Sequence, residues 1–446
     1  MTVLVFLGSL CGAMALGMPC AFALMFCGLV LMGWMAMIGI YPAFDAQVIA
    51  QKMLDGADSF ILLAIPFFLL AGELMNAGGL SRRIVNFALA LIGHRHGGLG
   101  YVAIIAAVIM ASLSGSAAAD TAALAAILIP MMRSAGYDVP RSAGLIAAGG
   151  IIAPVIPPSI GFVIFGVAAN VSIPQLFIAG VFPGIMMGVS LIVAWWWVSR
   201  HEVLETFPKR SWGERWQATK DGAFALAMPI FILGSIRFGF ATPTEAAVVA
   251  TVYALLVGMF IYKELKLNQL YGLFIAAAKM TAMVMFLVAA ALISSWLITA
   301  ANIPGEIGGF LSQFTDNKLI LMILLMVLVL VVGTALDFAP TVLILTPVLM
   351  PIVKQAGIDP IYFGVLFIMN NAIGLITPPV GIVLNVVSGV AKVSMSDVIR
   401  GVNPFLIAQS TVLFLMVLWP PLVMAPFRLL QGRISFTQFI QQLFGF

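Results

Sequence analysis

Charge is scarce in this chain. Asp, Glu, Lys and Arg make up 9% of its 446 residues, against about a quarter in soluble proteins. A water-facing surface cannot be built from so little, which excludes a soluble globular protein. The 21 basic and 17 acidic residues, a net +4, form no long basic tract. That balance reports loop orientation and gives no support to a nucleic-acid partner. Cysteine and histidine are scarcer still, three of each. Cys11, Cys20 and Cys27 share the first apolar block without a CxxC pair or a nearby His, and read as packed or lipid-facing thiols. No ligand set for a transition metal exists, nor a Ser/His pair or other motif for an intramembrane enzyme or an organic cofactor. The first apolar run has no basic n-region and is too long for a cleaved signal peptide.

What is present is apolar: 63% of the chain, in blocks of roughly twenty or more residues, the length a helix needs to span. Transmembrane barrels show alternating strands of about ten residues instead. The fold class is an all-α polytopic membrane protein embedded in the lipid bilayer. A first span is expected from Val3 to Trp34, kinked at Gly17-Met18-Pro19. A polar connection carrying Asp45 to Asp58 and a span from Phe60 to Met75 follow. The basic segment Ser81 to Gly98 belongs in the cytoplasm, where His94, His96 and, further on, His201 read as solvated. Trp195, Trp196 and Trp197 end another span at interfacial depth, and Arg200 to Asp221 is a cytoplasmic loop.

Two apolar blocks are polar in the middle. Residues 99–133 hold Ser112, Ser114, Gly115, Ser116, Asp120 and Thr121, and residues 319–352 hold Gly333, Thr334, Asp337, Pro340 and Thr341. Freed backbone groups at that depth are tolerated only where protein or a watery cavity surrounds them, so each block reads as a re-entrant helical hairpin. A broken helix follows each hairpin: 142–169, with Gly149, Gly150, Pro154, Pro157 and Pro158, and 361–390, with Asn370, Asn371, Gly374, Thr377, Pro378, Pro379 and Asn385. The segment from Pro130 to Asp138 lies over Pro351 to Asp359 at an offset of 221, which also brings Pro157-Pro158 onto Pro378-Pro379. The chain therefore divides into a first repeat (1–198), a cytoplasmic loop and connecting span (199–240), a second repeat (241–427) and an amphipathic tail (428–446). The odd connecting span inverts the second repeat, and interrupted helices at matching positions of an inverted repeat point to a secondary transporter's midplane site.

At each hairpin tip one half-helix ends in carbonyls, which attract cations, and the next begins in amides, which attract anions. Hydroxyls of Ser114, Ser116 and Thr121 suit a hard cation, sodium or a proton. The plainer readings stand beside these. Ser, Thr and Gly pack membrane helices, Pro157-Pro158 makes a kink, and Asp120 and Asp337 cap their second arms. An unpaired carboxylate at mid-bilayer costs roughly 2.5 to 3.5 kcal/mol, so even a cap there demands a polar pocket. Glu73, Glu245, Arg237 and Lys279, near span ends, read as snorkelling or paired. An ion or organic-anion channel is the rival to a transporter.

The motifs LLAIPFFLLAGELMNAGGLSRRI, ASLSGSAAADTAA, GGIIAPVIPPS, LDFAPTVLILTPVLMP and NNAIGLITPPVGIVLNVVSG resemble those of the large membrane subunit of a TRAP (tripartite ATP-independent periplasmic) transporter, across nearly the whole chain. The resemblance is nearest to members handling sialic acid and diketogulonate. It implies a sodium-coupled importer of a small carboxylated sugar in the bacterial inner membrane, not an enzyme. The implied mechanism is an elevator of the ion-transporter-superfamily kind. Implied partners are a small membrane subunit, expected as a separate chain, and a periplasmic substrate-binding protein. Two or more sodium ions are implied, at Ser112, Ser114, Gly115, Ser116, Gly150, Pro154 and Pro157 in the first repeat. In the second they fall at Gly333, Thr334, Asp337, Asn371, Gly374, Thr377 and Pro378. Ser116, Asp120, Thr121, Pro158, Thr341, Asn370 and Asn385 are the implied substrate contacts between the tips.

Overall fold

The computed structural model describes residues 2–40, 44–202, 204–302, 305 and 317–444, which contain helices and no strand. Among these residues ten helical segments are long and apolar enough to cross a membrane.

The first apolar block departs from its expected form. Helices α1 (Thr2–Ala15) and α2 (Cys20–Met37) are separate and packed on each other. Pro19 is the N-cap of α2, where its fixed φ and missing N–H start a helix rather than bend one. The polar connection is also helical: α3 (Ala46–Ala57) is capped by Asp45. A 3₁₀ turn (Phe60–Leu63) leads into α4 (Ala64–Ala77), and α5 (Leu80–Ile92) follows. The first hairpin is α6 (Gly98–Ser114) and α7 (Ala117–Ser134); the first broken helix is α8 (Val139–Gly150) and α9 (Ile160–Ala169). Then come α10 (Ile173–Ser199) and α11 (Trp212–Arg237). The loop between them is shorter than expected, because Ser211 and Glu214 form a capping box that starts α11 ten residues before its apolar part.

Helix α12 (Pro243–Leu256) opens with a second capping box, which absorbs Glu245, and runs into a π turn (Val257–Ile261). The long α13 (Leu267–Ala300) has α3 lying along it. The second hairpin is α14 (Lys318–Ala335) and α15 (Phe338–Gln355), and the second broken helix is α16 (Pro360–Gly374) and α17 (Ile382–Ala391). Helices α18 (Met395–Leu418), α19 (Pro421–Leu430) and α20 (Phe436–Phe444) complete the chain. The expected amphipathic tail, 428–446, holds the end of α19 and the whole of α20, and its last two residues lie outside the described ones.

Helix starts recur 221 or 222 residues apart: α3 and α13, α7 and α15, α8 and α16, α9 and α17, α10 and α18. Packing recurs with partners exchanged. Helix α2 lies on α13 as α12 lies on α4, α7 on α17 as α15 on α9, and α8 on α18 as α10 on α16. Lipid gives helices no hydrophobic reason to associate, so small residues that let backbones touch decide such crossings. At the α8–α18 crossing a Cβ on Gly144 would stand 2.5 Å from the carbonyl carbon of Gly401. Asp138 and Asp359 cap α8 and α16, accepting from Arg141 N at 2.7 Å and Ile361 N at 2.8 Å. Trp195 faces protein rather than lipid: it is buried, stacks on Tyr137 at 6.1 Å and donates Nε1 to Gly97 O at 2.9 Å. Trp196 and Trp197 are exposed.

Candidate functional site

The first hairpin turns on one residue. Gly115 ends α6 with φ +64, left-handed backbone that a side chain would strain. A Cβ there would also stand 2.9 Å from Pro158 O and 3.1 Å from Ile160 N. The tip is therefore pressed onto the break between α8 and α9. Ser116 caps α7, accepting from Ala119 N at 3.4 Å, so Asp120 is not the cap. Asp120 instead accepts from Ser114 Oγ at 2.5 Å through one oxygen, while its other oxygen is buried with no hydrogen-bond partner. The Thr121 hydroxyl is likewise buried and unpartnered, and faces Gly150, where any Cβ would collide with it. Ser112 is spent within its own helix, donating to Ile109 O at 2.5 Å.

In the first break the Pro154 carbonyl accepts from Ser159 Oγ, and Ser159 also caps α9, accepting from Phe162 N at 3.2 Å. Ser159 was not singled out in the sequence, although it stands where a cap belongs, directly before an apolar helix. Pro157-Pro158 and Pro378-Pro379 have cis peptide bonds.

The second hairpin turns at Leu336 and Asp337. Asp337 is exposed and caps α15, accepting from Phe338 N at 2.6 Å. Thr334 and Thr341 bond locally, to Val331 O at 2.8 Å and Asp337 O at 2.9 Å. The end of α14 meets the end of α16 backbone to backbone, since a Cβ on Gly374 would lie 2.8 Å from the carbonyl carbon and oxygen of Gly333. Asn371 Nδ2 donates to Phe338 O at 2.8 Å and Asn370 Nδ2 to Met326 O at 2.5 Å. Both amide oxygens are buried without partners. Thr377 bonds Ile373 O at 2.8 Å, next to Pro378, and exposed Asn385 closes the break through Val380 O at 3.0 Å.

A cavity of about 190 Å³ lies between the two tips. It brings Gly115, Ser116, Pro154 and Asp337 together; of the expected substrate contacts only Ser116 lines it, while Asp120, Thr121, Pro158, Thr341, Asn370 and Asn385 do not, and the remaining expected sodium ligands lie outside the lining as well. Its walls include the first turns of four helices: Ala117 and Ala118 of α7, Ile160 and Gly161 of α9, Phe338 and Ala339 of α15, and Ile382 and Val383 of α17. A helix N-terminus carries roughly half a positive charge, so four of them aim at one space in which no Lys, Arg or His is found. The amide ends favour an anion, but the one ionisable side chain in the lining is the Asp337 carboxylate, which opposes an anion unless a cation lies beside it, and the space is small for a ligand pocket. The carbonyl ends of α6, α8, α14 and α16 lie beside the same tips and breaks, which suits cations. Leu69, Met280 and Val284 close the space from α4 and α13. The Phe338 ring sits where a Cβ on Gly161 would meet it at 2.6 Å. These four apolar residues were missed because nothing in an apolar chain distinguishes them. A larger cavity, about 830 Å³ beside Arg82 and Arg210, contains no hairpin residue and is not this site.

A family model described as the tripartite ATP-independent periplasmic transporter, DctM component, matches residues 7–422. The chain is 55% identical over 428 residues to the 2,3-diketo-L-gulonate TRAP transporter large permease protein YiaN of Escherichia coli K12, covering 96% of this chain and 99% of that protein. It is 38% identical over 409 residues to the sialic acid TRAP transporter large permease protein SiaM of Vibrio cholerae, covering 92% and 94%. Among solved structures, the YdaH transporter of Alcanivorax borkumensis matches with a TM-score of 0.61 at 14% identity, covering 84% of this chain and 89% of that one, a likeness of fold.

Proposed function

We infer function from one premise: this chain belongs to the DctM component family of tripartite ATP-independent periplasmic transporters. It is a large permease subunit, a multi-pass protein of the bacterial inner membrane, and its relatives are transport proteins rather than enzymes. On this reading it imports a small organic acid, a carboxylated sugar of the diketogulonate or sialic acid kind, by symport with two or more sodium ions.

The observation that carries the reading is the cavity with four helix N-termini and no basic side chain. Backbone amides hold the substrate carboxylate there, and compensation for its charge comes from cations that travel with it. The carbonyl ends, Ser114 to Ser116, Gly150, Pro154 and Pro157 are the first sodium site. Gly333, Thr334, Asp337, Asn371, Gly374, Thr377 and Pro378 are the second. The unpartnered oxygens of Asp120, Thr121, Asn370 and Asn371 support oxygen ligation in both halves.

The recurring helix starts and exchanged packing partners support an inverted repeat. In that arrangement α6–α10 and α14–α18 move as a transport body against a scaffold of α2, α4, α5 and α11–α13, an elevator. Its boundary is smooth: a Cβ on Gly72 of α4 would stand 3.1 Å from Ser114 Cβ. A small membrane subunit on the scaffold and a periplasmic binding protein complete the system. The test is uptake into proteoliposomes holding the permease and its membrane subunit, with the binding protein outside. Accumulation above the external level under an inward sodium gradient is expected, with none when choline replaces sodium. Equilibration without accumulation refutes symport.

A further inference from the structure

The loop between α5 and the first hairpin is pinned to the end of α10. His96 Nε2 lies 2.9 Å from Ser199 O, and Trp195 Nε1 reaches Gly97 O at the same distance. Gly97 has φ +66, and a Cβ on it would meet Ser199 Oγ and Trp195 Nε1 at 3.0 Å, so the loop's course is dictated by packing. This fixes His94 and Arg95 in place. Burial, then the charges of Arg215, Lys209 and Arg95, push His94 below the ordinary imidazole range, and no carboxylate is among the groups acting on it. His94 Nδ1 and the Nε and Nη2 atoms of Arg215 are buried without hydrogen-bond partners. The buried Arg215 donors left unmade are costly, and the cations Arg215, Lys209 and Arg95 gathered around His94 ask for an anion.

Arg95 also lines an apolar groove of about 350 Å³, to which His94 and Arg215 are connected only as neighbours of Arg95 in the charge cluster. Tyr101 and Ile105, one turn apart on α6, form one wall, and Ile192, Val193 and Trp196 of α10 form the other. Trp196 is 56% exposed, with Arg200 5.8 Å above its ring. Tyr and Trp mark the membrane–water boundary, and the basic loops mark its cytoplasmic side. The cationic mouth is therefore at headgroup depth, and the groove descends into hydrocarbon.

We propose that this groove is a binding site for an anionic phospholipid of the cytoplasmic leaflet, its phosphate held by Arg95, His94 and Arg215 and an acyl chain lying along Ile105 and Ile192. Charge complementarity selects the headgroup, since basic pockets between transmembrane helices favour such lipids. The apolar wall selects a lipid over a free anion.

The full chain, purified in neutral detergent, is incubated with phosphatidylglycerol or phosphatidylcholine, and retained lipid is counted by native mass spectrometry on the folded, monodisperse fraction. Phosphatidylglycerol is expected to be retained preferentially. Arg95→Gln with Arg215→Gln reduces retention about 25-fold, some fivefold per charge, while Arg95→Lys keeps most of it. Ile105→Trp, which fills the groove and leaves the charges, also removes the lipid. Equal retention of phosphatidylcholine, or unchanged retention in the double variant, overturns the proposal. So does an equal loss on removing the distant charges Arg428 and Arg433, which would make the effect non-specific. Displacement by millimolar inorganic phosphate assigns the cluster to a free anion, and displacement by the small membrane subunit assigns the groove to a protein; either result overturns it.

Discussion

The two hairpin and broken-helix units, α6–α9 and α14–α17, place their polarity in opposite ways. In the first, polar side chains stand on the hairpin: Ser114 and Asp120, bonded to each other, and Thr121, which faces glycine in the broken helix at Gly150. In the second, the amides of Asn370 and Asn371 stand on the broken helix, and glycine stands on the hairpin at Gly333. At the offset of 221, Gly149 and Gly150 correspond to Asn370 and Asn371, Asp120 and Thr121 to Thr341 and Val342, and Ser112 to Gly333. The contacts differ too: Gly150 meets Thr121 of its hairpin's second arm, whereas Asn371 meets Gly333 of its hairpin's first arm. Equivalent positions therefore do not have equivalent roles, and substitutions in pairs expose this.

The largest difference is expected at Gly374, whose counterpart Ala153 already carries a methyl group in a fully buried place. Gly374→Ala presses that methyl onto the Gly333 backbone, and a loss of uptake of about 100-fold is expected from overpacking that cannot relax, against a small effect for Ala153→Gly. Comparable losses for both would undo the contrast.

Asp120→Ala strands Ser114 and removes a buried oxygen, and should lower sodium-driven uptake about 30-fold. Thr341→Ala, its counterpart, deletes only a bond within its own helix and should cost less than about threefold. Initial uptake rates at equal membrane expression decide this.

Gly150→Ala collides with Thr121 and should cost about tenfold, with much of it restored by adding Thr121→Ala, as expected of groups in contact. Absence of rescue would mean that the clash is not what Gly150 avoids. The smallest effect is expected for Thr334→Ala, within about twofold, because that hydroxyl is satisfied by Val331 O inside its helix. A marked rise in the sodium concentration needed for half-maximal uptake would mean that Thr334 serves the proposed ion site through its hydroxyl and not through its backbone carbonyl alone.

The hairpins and broken helices were legible because polar residues and prolines inside an apolar run have few physical explanations. The starts of α7, α8, α15 and α16 stand where the repeated motifs put them. The α1–α2 turn was not legible, since Gly17-Met18-Pro19 in apolar sequence reads equally as a kink or a turn, and only the packing of α1 on α2 decides. Close approaches such as Gly333 to Gly374 join positions far apart in sequence, and no local pattern encodes them. Leu69, Met280, Val284 and Phe338 escaped because a wall residue of a cavity and a lipid-facing residue look alike in sequence. Asp120 was expected to cap α7 or to touch substrate. Its bond to Ser114 depends on the Gly115 turn folding the end of α6 back over the first turn of α7.

The convergence of four helix starts on one cavity has a consequence for heredity. A receptor for charge made of main-chain amides is written in no particular codon, so point mutation rarely erases it and rarely retunes it. Lineages that exchange one acid for another can leave this chamber alone and alter the residues around it, or the proteins that deliver to it. On the function proposed above, the permease is a general engine whose cargo is chosen upstream.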